Sequence, residues 1–304
     1  MKSRNMLLAA AVAMMAFAAP ATAANMIGNC EVTGEKGSIP IANPAKAGQL
    51  TVEVSLPAPI WWNGDTPESI KDGMEYCIAA EIAWRAGYDK LEVVNVGWDP
   101  LVAGQTSGYD LTLSEVSITE DRKKVVDFSI PYFYSDIGVL TRADAPVDAT
   151  SIKTAKVGLQ QATTGAAFAT EKLGLTNVQM YPDQGDMFTA LRAGQIDAAM
   201  TDTSITLAEE KSTAGKSVVV GQYKTGEAYG AIYEKGYANG ATIDQSAHLR
   251  YGFNATGAGE NGAVNLVGAH IGGQLGMNRA TLTNASGHAP HAQGATIAKG
   301  AYPA

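Results

Sequence analysis

Four shortages bound what this chain can do: cysteine, histidine outside one segment, basic charge, and long apolar runs. Two cysteines, Cys30 and Cys77, in 304 residues are too few for a cysteine-built zinc or iron–sulfur centre. All four histidines (His248, His270, His288 and His291) lie in the last 68 residues. Residues 50–236 therefore offer no Ser-His-Asp or Cys-His arrangement and no metal-spaced set, and neither a metal nor another cofactor is expected. Acidic residues outnumber basic ones 30 to 22, which argues against a nucleic-acid partner, because phosphate contacts need a basic face. Beyond the first two dozen positions nothing is apolar for long enough to span a bilayer.

The opening, "MKSRNMLLAAAVAMMAFAAPATA", has Lys2 and Arg4, then an apolar run, then Ala21-Thr22-Ala23. That is the pattern of a secretory signal peptide over 1–23, cleaved near Ala23, and it places the mature protein outside the cytoplasm, in the periplasm or at the cell surface. Asn29 before Cys30 makes a poor lipidation signal. In an oxidising compartment Cys30 and Cys77 can form one bridge, tying an N-terminal arm to a helix. The alternative is that Cys77, on one helical face with Met74, Ile78 and Ile82, is a buried free thiol.

Residues 24–49, with Gly34, Gly37, Pro40 and Pro44, read as an extended arm. From Leu50 onward strand-like and helical runs alternate. Strands at 50–55, 91–96 and 109–113 enclose helical segments at 73–87 and 99–106, and a second series runs from 156 to 221. This βαβ rhythm predicts an α/β fold with two lobes: 50–139 in the first, 140–223 in the second, and a return crossing over 224–236. Strand ends of open α/β sheets bind ligands, so the two lobes are expected to face a common cleft.

Within "LSEVSITEDRKKVVDFSIPYF" (113–133), Val116 ends a strand-like run, and Thr119 with Glu120 and Asp121 reads as a helix N-cap. Ser117, Thr119 and Arg122 then converge where backbone N–H groups and a guanidinium can hold a carboxylate. An arginine in "EDRKK" can also be no more than part of a solvated turn.

Five stretches together resemble the polar-amino-acid binding proteins of ABC transporters, the family 3 extracellular solute-binding proteins. They are "GMEYCIAAEIAWRAG", "VNVGWDPLVAGQTSGYDLTLSEVSITEDRKKVVDFSIPYF", "VGLQQATTGAAFATEKLG", "DMFTALRAGQIDAAMTD" and "YGAIYEKG". The resemblance covers about 50–236 and implies a two-lobed, periplasmic-binding-protein-like fold of type II with the ligand between the lobes. It implies that Arg122 grips the ligand's α-carboxylate, that Ser117 adds its N–H and hydroxyl, and that Glu115 offers its carbonyl to the α-ammonium. Family members usually have a small residue where Glu115 stands, so this carboxylate is a departure. Thr163 and Thr164 would open a helix whose N–H meets the same carboxylate, and Asp202 would bind the ammonium or merely cap the helix that follows. Trp98 and one of Trp61 and Trp62 would wall the ligand's side chain.

The resemblance implies capture, as a monomer, of an amino acid or related small polar ligand for delivery to a membrane permease of an ABC transporter, without catalysis. A competing class is an enzyme on the same fold, of the cyclohexadienyl dehydratase kind, for which Glu115 is the one candidate acid or base. The family pattern stops near Gly236. From Tyr237 to Ala304 there are five charged residues and twelve glycines, where family members continue with charged amphipathic helices. That change of composition is expected to mark either a shifted reading frame or a disordered tail.

Overall fold

The computed structural model describes residues 24–237. The leader through Ala23 and the glycine-rich segment from Ala238 lie outside the described residues.

The chain begins with a hairpin, β1 (Asn25–Ile27) and β2 (Cys30–Val32), and then runs through β3 (Leu50–Val54), α1 (Met74–Arg85), β4 (Leu91–Asn95), α2 (Trp98–Val102) and β5 (Leu111–Thr112). It continues as β6 (Val126–Phe128), β7 (Phe133–Arg142), β8 (Val157–Gln160), α3 (Thr164–Ala167) and β9 (Val178–Tyr181). The described part closes with α4 (Gln184–Arg192), β10 (Ala198–Asp202), α5 (Thr203–Ser212), β11 (Ser217–Tyr229) and β12 (Ile232–Glu234). Two five-stranded sheets result, in the orders β4-β3-β5-β12-β6 and β11-β7-β10-β8-β9.

In the first sheet β3 runs parallel to β4 and β5, and all five residues of "LTVEV" are buried, as suits a strand covered on both faces. Helix α1 lies against it through Ala79, Ala80 and Ala83, whose small side chains let the helix axis approach the sheet closely. The start of α1 is fixed by the preceding loop. Met74 and Glu75 donate their N–H groups to the carbonyls of Ile60 and Trp61 at 2.9 and 3.1 Å, supplying acceptors the helix lacks. This docking needs Gly73, whose φ is 127° and where a Cβ would stand 2.2 Å from the Trp61 carbonyl oxygen.

In the second sheet β8 is parallel to β9 and β10, and β7 is antiparallel to both β10 and β11. Helix α5 presses on β7 at Gly138, where a Cβ would meet the Thr206 hydroxyl at 2.3 Å. The lobes are joined by β7 and β11, which pair from Phe133 with Tyr229 to Arg142 with Ser217. The short strand expected at 217–221 and the separate crossing from 224 are one strand of 13 residues, because β7 gives it a partner along its length and bulges absorb the irregular register.

Two other expectations fail locally. The helix expected after Thr119 is a single 3₁₀ turn, Arg122–Lys124, since β6 begins at Val126 and leaves room for no more. The helix expected over 99–106 ends at Val102, where Gly104 at φ 64° turns the chain.

Of the two fates open to Cys77, the bridge is the one found: Cys30 and Cys77 are joined, with their Cα atoms 5.3 Å apart. The bond closes a loop of 47 residues and fastens the hairpin to α1, which also holds Thr33 through Glu81. Replacing both cysteines by serine should lower the stability of the oxidised protein by about 2–4 kcal/mol. Urea unfolding of the two proteins checks this, and equal midpoints would count against a structural role for the bridge.

Candidate functional site

A cleft lies between the sheets, lined from the first lobe by Ser55, Leu56, Pro57, Trp98, Ser114, Glu115, Ser117 and Arg122. The second lobe contributes Gln160, Thr163, Thr164, Asp183, Gln184, Thr201, Asp202 and Ile205. Most of these residues stand at strand ends or helix starts, where the chain leaves the sheet and its polar groups are free to face a ligand.

Arg122 is positioned by its own loop. Thr119 Oγ1 accepts the Arg122 backbone N–H at 3.1 Å, and the Arg122 Nη1 donates to the Ser117 carbonyl at 2.8 Å. Its Nη2 donates across the cleft to the Ala162 carbonyl at 2.9 Å, and its guanidinium carbon sits 5.4 Å from the ring centre of Trp98. Burial lowers the guanidinium's pKa, while Asp202 and Glu227 favour its charge.

Ser117 pairs with Tyr229 of β11 through flanking bonds, Ile118 N–H to Ala228 and Gly230 N–H to Val116, which leave Ser117's own N–H out of the ladder. Its hydroxyl donates to Glu227 at 2.6 Å, and the Thr164 hydroxyl donates to the same Glu227 oxygen at 2.5 Å. Glu227 therefore joins both lobes from the crossing strand. Thr163 caps α3 by accepting from Ala166 N–H at 3.1 Å, and it donates to the Gln160 carbonyl. Thr164 opens that helix, so its N–H has no acceptor within it. Further bonds draw the lobes together: Gln161 to Asp99 at 2.6 Å and Gln184 to the Pro57 carbonyl at 3.4 Å.

Asp202 ends β10 and precedes α5, yet its carboxylate makes no capping bond to the helix. It accepts instead from the Tyr229 hydroxyl at 2.6 Å. Burial, then the nearby Glu227, pushes its pKa up to about 7, against the pull of Tyr229 and Arg122. Glu115 adopts φ 48° and is 5 % exposed, with its backbone N–H donating to Glu75 at 2.9 Å. Glu75 is fully buried and also accepts from Trp62 Nε1 at 2.7 Å and from the Tyr132 hydroxyl.

Seven of the eight sequence-derived candidates, Arg122, Ser117, Glu115, Thr163, Thr164, Asp202 and Trp98, thus share this cleft. Trp61 does not. It is 3 % exposed and packs edge-on to Phe133 and Tyr229 at 5.0 and 5.6 Å, inside the first lobe. Trp62 is likewise core. The resemblance put one of the pair at the cleft, but 59–61 is a turn closed by the Ala58–Trp62 bridge, and both rings fold inward. Sequence reasoning missed Leu56, Pro57, Gln160, Asp183, Gln184 and Ile205, and the cross-lobe role of Glu227. For Glu227 a signal existed: an acid near the start of a run read from the sequence as crossing between lobes.

The sequence pattern of the bacterial extracellular solute-binding proteins, family 3, matches residues 58–177. The L-cystine-binding protein TcyJ of Escherichia coli (strain K12) is 28% identical over 168 residues, 54% of this chain and 63% of that protein, so the likeness spans a little under two thirds of its length. Among solved structures, the arginine-bound form of truncated ArgBP from T. maritima is 28% identical with a TM-score of 0.59, covering 66% of this chain and 94% of that one. An ancestral arginine-binding protein bound to glutamine gives 27% identity and a TM-score of 0.60, covering 67% and 92%.

Because Asp202 binds its proton more tightly when folded than when unfolded, the empty protein should lose stability as pH rises from about 4 through about 7. Glu75 and Glu115, whose pKa values burial also raises, act in the same direction. Melting temperatures between pH 5 and 8 should therefore fall less steeply for Asp202→Asn than for the native protein. Parallel curves would show that Asp202 ionises as it does in the unfolded chain.

Proposed function

Because the chain belongs to the bacterial extracellular solute-binding proteins of family 3, we propose that it captures a polar amino acid between its lobes and presents it to the membrane permease of an ABC transporter. The observation that carries this reading is the meeting of Arg122 and Ser117 from the first lobe with Thr164 and Asp202 from the second around one cleft. An α-amino acid matches that set. Its carboxylate suits the Arg122 guanidinium and the N–H groups of Ser117 and Thr164, and its ammonium suits Asp202. Trp98, beside Arg122, offers a flat wall to the side chain.

A ligand held at both ends bridges the lobes, so its binding favours the closed arrangement over an open one. Similar proteins bind cystine, arginine or glutamine, which supports an amino acid as cargo without naming it. These relatives are named for binding, and the reading here is non-enzymatic. The protein acts as a monomer outside the cytoplasm, exported by the leader that ends near Ala23.

A thermal-shift screen of the common amino acids, followed by calorimetry, tests this reading. Arg122→Ala should fold and melt within a few degrees of the native protein yet bind more weakly by about 2–5 kcal/mol. Asp202→Asn should lose more affinity for α-amino acids than for the matching α-hydroxy acids. If Arg122→Ala binds as tightly as the native protein, the carboxylate is held elsewhere.

A further inference from the structure

The cleft holds more acid than a neutral amino acid needs. Arg122 is the one basic side chain on its lining, against Glu115, Asp183 and Asp202. In the reading above, a zwitterionic backbone matches Arg122 and Asp202, and Glu115 is left over.

Glu115 is not spare surface charge. Its side chain is 5 % exposed, it lines the cleft, and its Oε1 is buried without a hydrogen-bond partner. Glu75 of α1 stands directly behind it, accepting the Glu115 backbone N–H at 2.9 Å, and two buried carboxyls this close favour holding one proton between them. Glu75 has no other role in the cleft. It is spanned by Trp62 Nε1, Tyr132 and the Glu115 backbone N–H, which hold it in place behind Glu115.

The titratable groups facing the pair are mostly acidic. Tyr132 touches Glu75, Asp202 of β10 faces Glu115 across the cleft, and Glu227 and Tyr229 of β11 stand behind Asp202. Arg122 is the cation on the cleft's lining, and its Nη1 and Nη2 each give one bond to the carbonyls of Ser117 and Ala162. A buried carboxyl with an unpartnered oxygen, on a residue that lines the cleft and is backed by a second carboxyl, is suited to a cation that the protein itself does not supply.

We propose that Glu115 and Asp202 form a paired-carboxylate receptor that selects ligands of net positive charge, and that the proton held between Glu115 and Glu75 is exchanged for that charge. The inference rests on the amino-acid reading and adds to it a charge class and a proton. The exchange is balanced: the ligand's extra positive charge enters, the carboxyl proton leaves to solvent, and the charge in the cleft is unchanged. Burial, then the neighbouring Glu75 and Asp202, raises the pKa of Glu115, which favours a proton on the empty site. A cation must displace that proton, and its binding therefore strengthens as pH rises.

The test is calorimetry of the full mature chain with matched ligands that differ in charge: L-arginine with L-citrulline, and L-lysine with L-norleucine. Each is titrated at pH 5.5 and 7.5 in buffers of different ionisation enthalpy, which gives the number of protons released. In at least one pair the cationic member should bind about ten-fold or more tightly at pH 7.5, release up to about one proton more than its neutral partner, and lose part of its advantage at pH 5.5. Any proton that Asp202 gives up to solvent on meeting the α-ammonium is common to both members and cancels. Glu115→Gln, verified as folded by its melting curve, should lose the extra proton and most of the discrimination.

Equal affinities and equal proton counts within both pairs would overturn the proposal, as would discrimination that survives in Glu115→Gln. The native protein's proton count stands even if that variant fails to fold. Binding of neutral amino acids alone would sink the charge selection while leaving amino-acid capture intact. Failure of every amino acid in the screen would overturn both.

Discussion

A single guanidinium set among buried carboxylates governs the arrangement of the cleft. Arg122 reaches a carbonyl in each lobe, and Asp202 and Glu227 supply the negative field that offsets part of its desolvation. Taking such charges out of water costs several kcal/mol per ion unless each finds partners. The partners come from both lobes, so the electrostatics of the site and the closure of the molecule are one problem. Glu227 makes this explicit: it sits on a strand linking the lobes and takes a hydroxyl from each, Ser117 and Thr164.

The fold makes this convergence possible without long loops. Parallel strands deliver Ser114, Glu115 and Ser117 just beyond β5, and Gln160 and Asp202 at the ends of β8 and β10. Helices α3, α4 and α5 begin immediately after such strand ends or one short turn away, so their unsatisfied N–H groups and the side chains around them face the same space. The disulfide and the Gly73 contact fasten the back of the first lobe, where α1 carries Glu75. That helix thereby positions Glu115 from behind.

Much of this was legible in the sequence. The alternation of apolar runs and helical segments gave the α/β order, and the family resemblance marked Arg122, Ser117, Thr164 and Asp202, which come together from positions as far apart as 117 and 202. What was not legible depended on geometry that no local period encodes. Trp61 was misjudged because a turn does not alternate its side chains as a strand does. For Asp202 the sequence leaves an ammonium contact and a helix cap side by side, and only the tertiary placement of Tyr229 shows that its carboxylate makes no cap. Asp183 caps α4 by accepting from Asp186 N–H, and nothing local signals that it also borders the cleft. Likewise Glu75 belongs to an amphipathic helix by its pattern, and its contact with Glu115 needs the loop at Trp61 and Trp62 to dock on that helix first.

The central claim is that the cleft is polarised, with Arg122 for a carboxylate at one end and the carboxylates of Asp202 and Glu115 for a cation at the other. A crystal structure of the protein with the tightest-binding amino acid from the screen tests it most directly. The account predicts the ligand's carboxylate within hydrogen-bond reach of the Arg122 guanidinium and its ammonium against Asp202. A ligand bound outside the cleft, or bound with its ammonium end at Arg122, would contradict it.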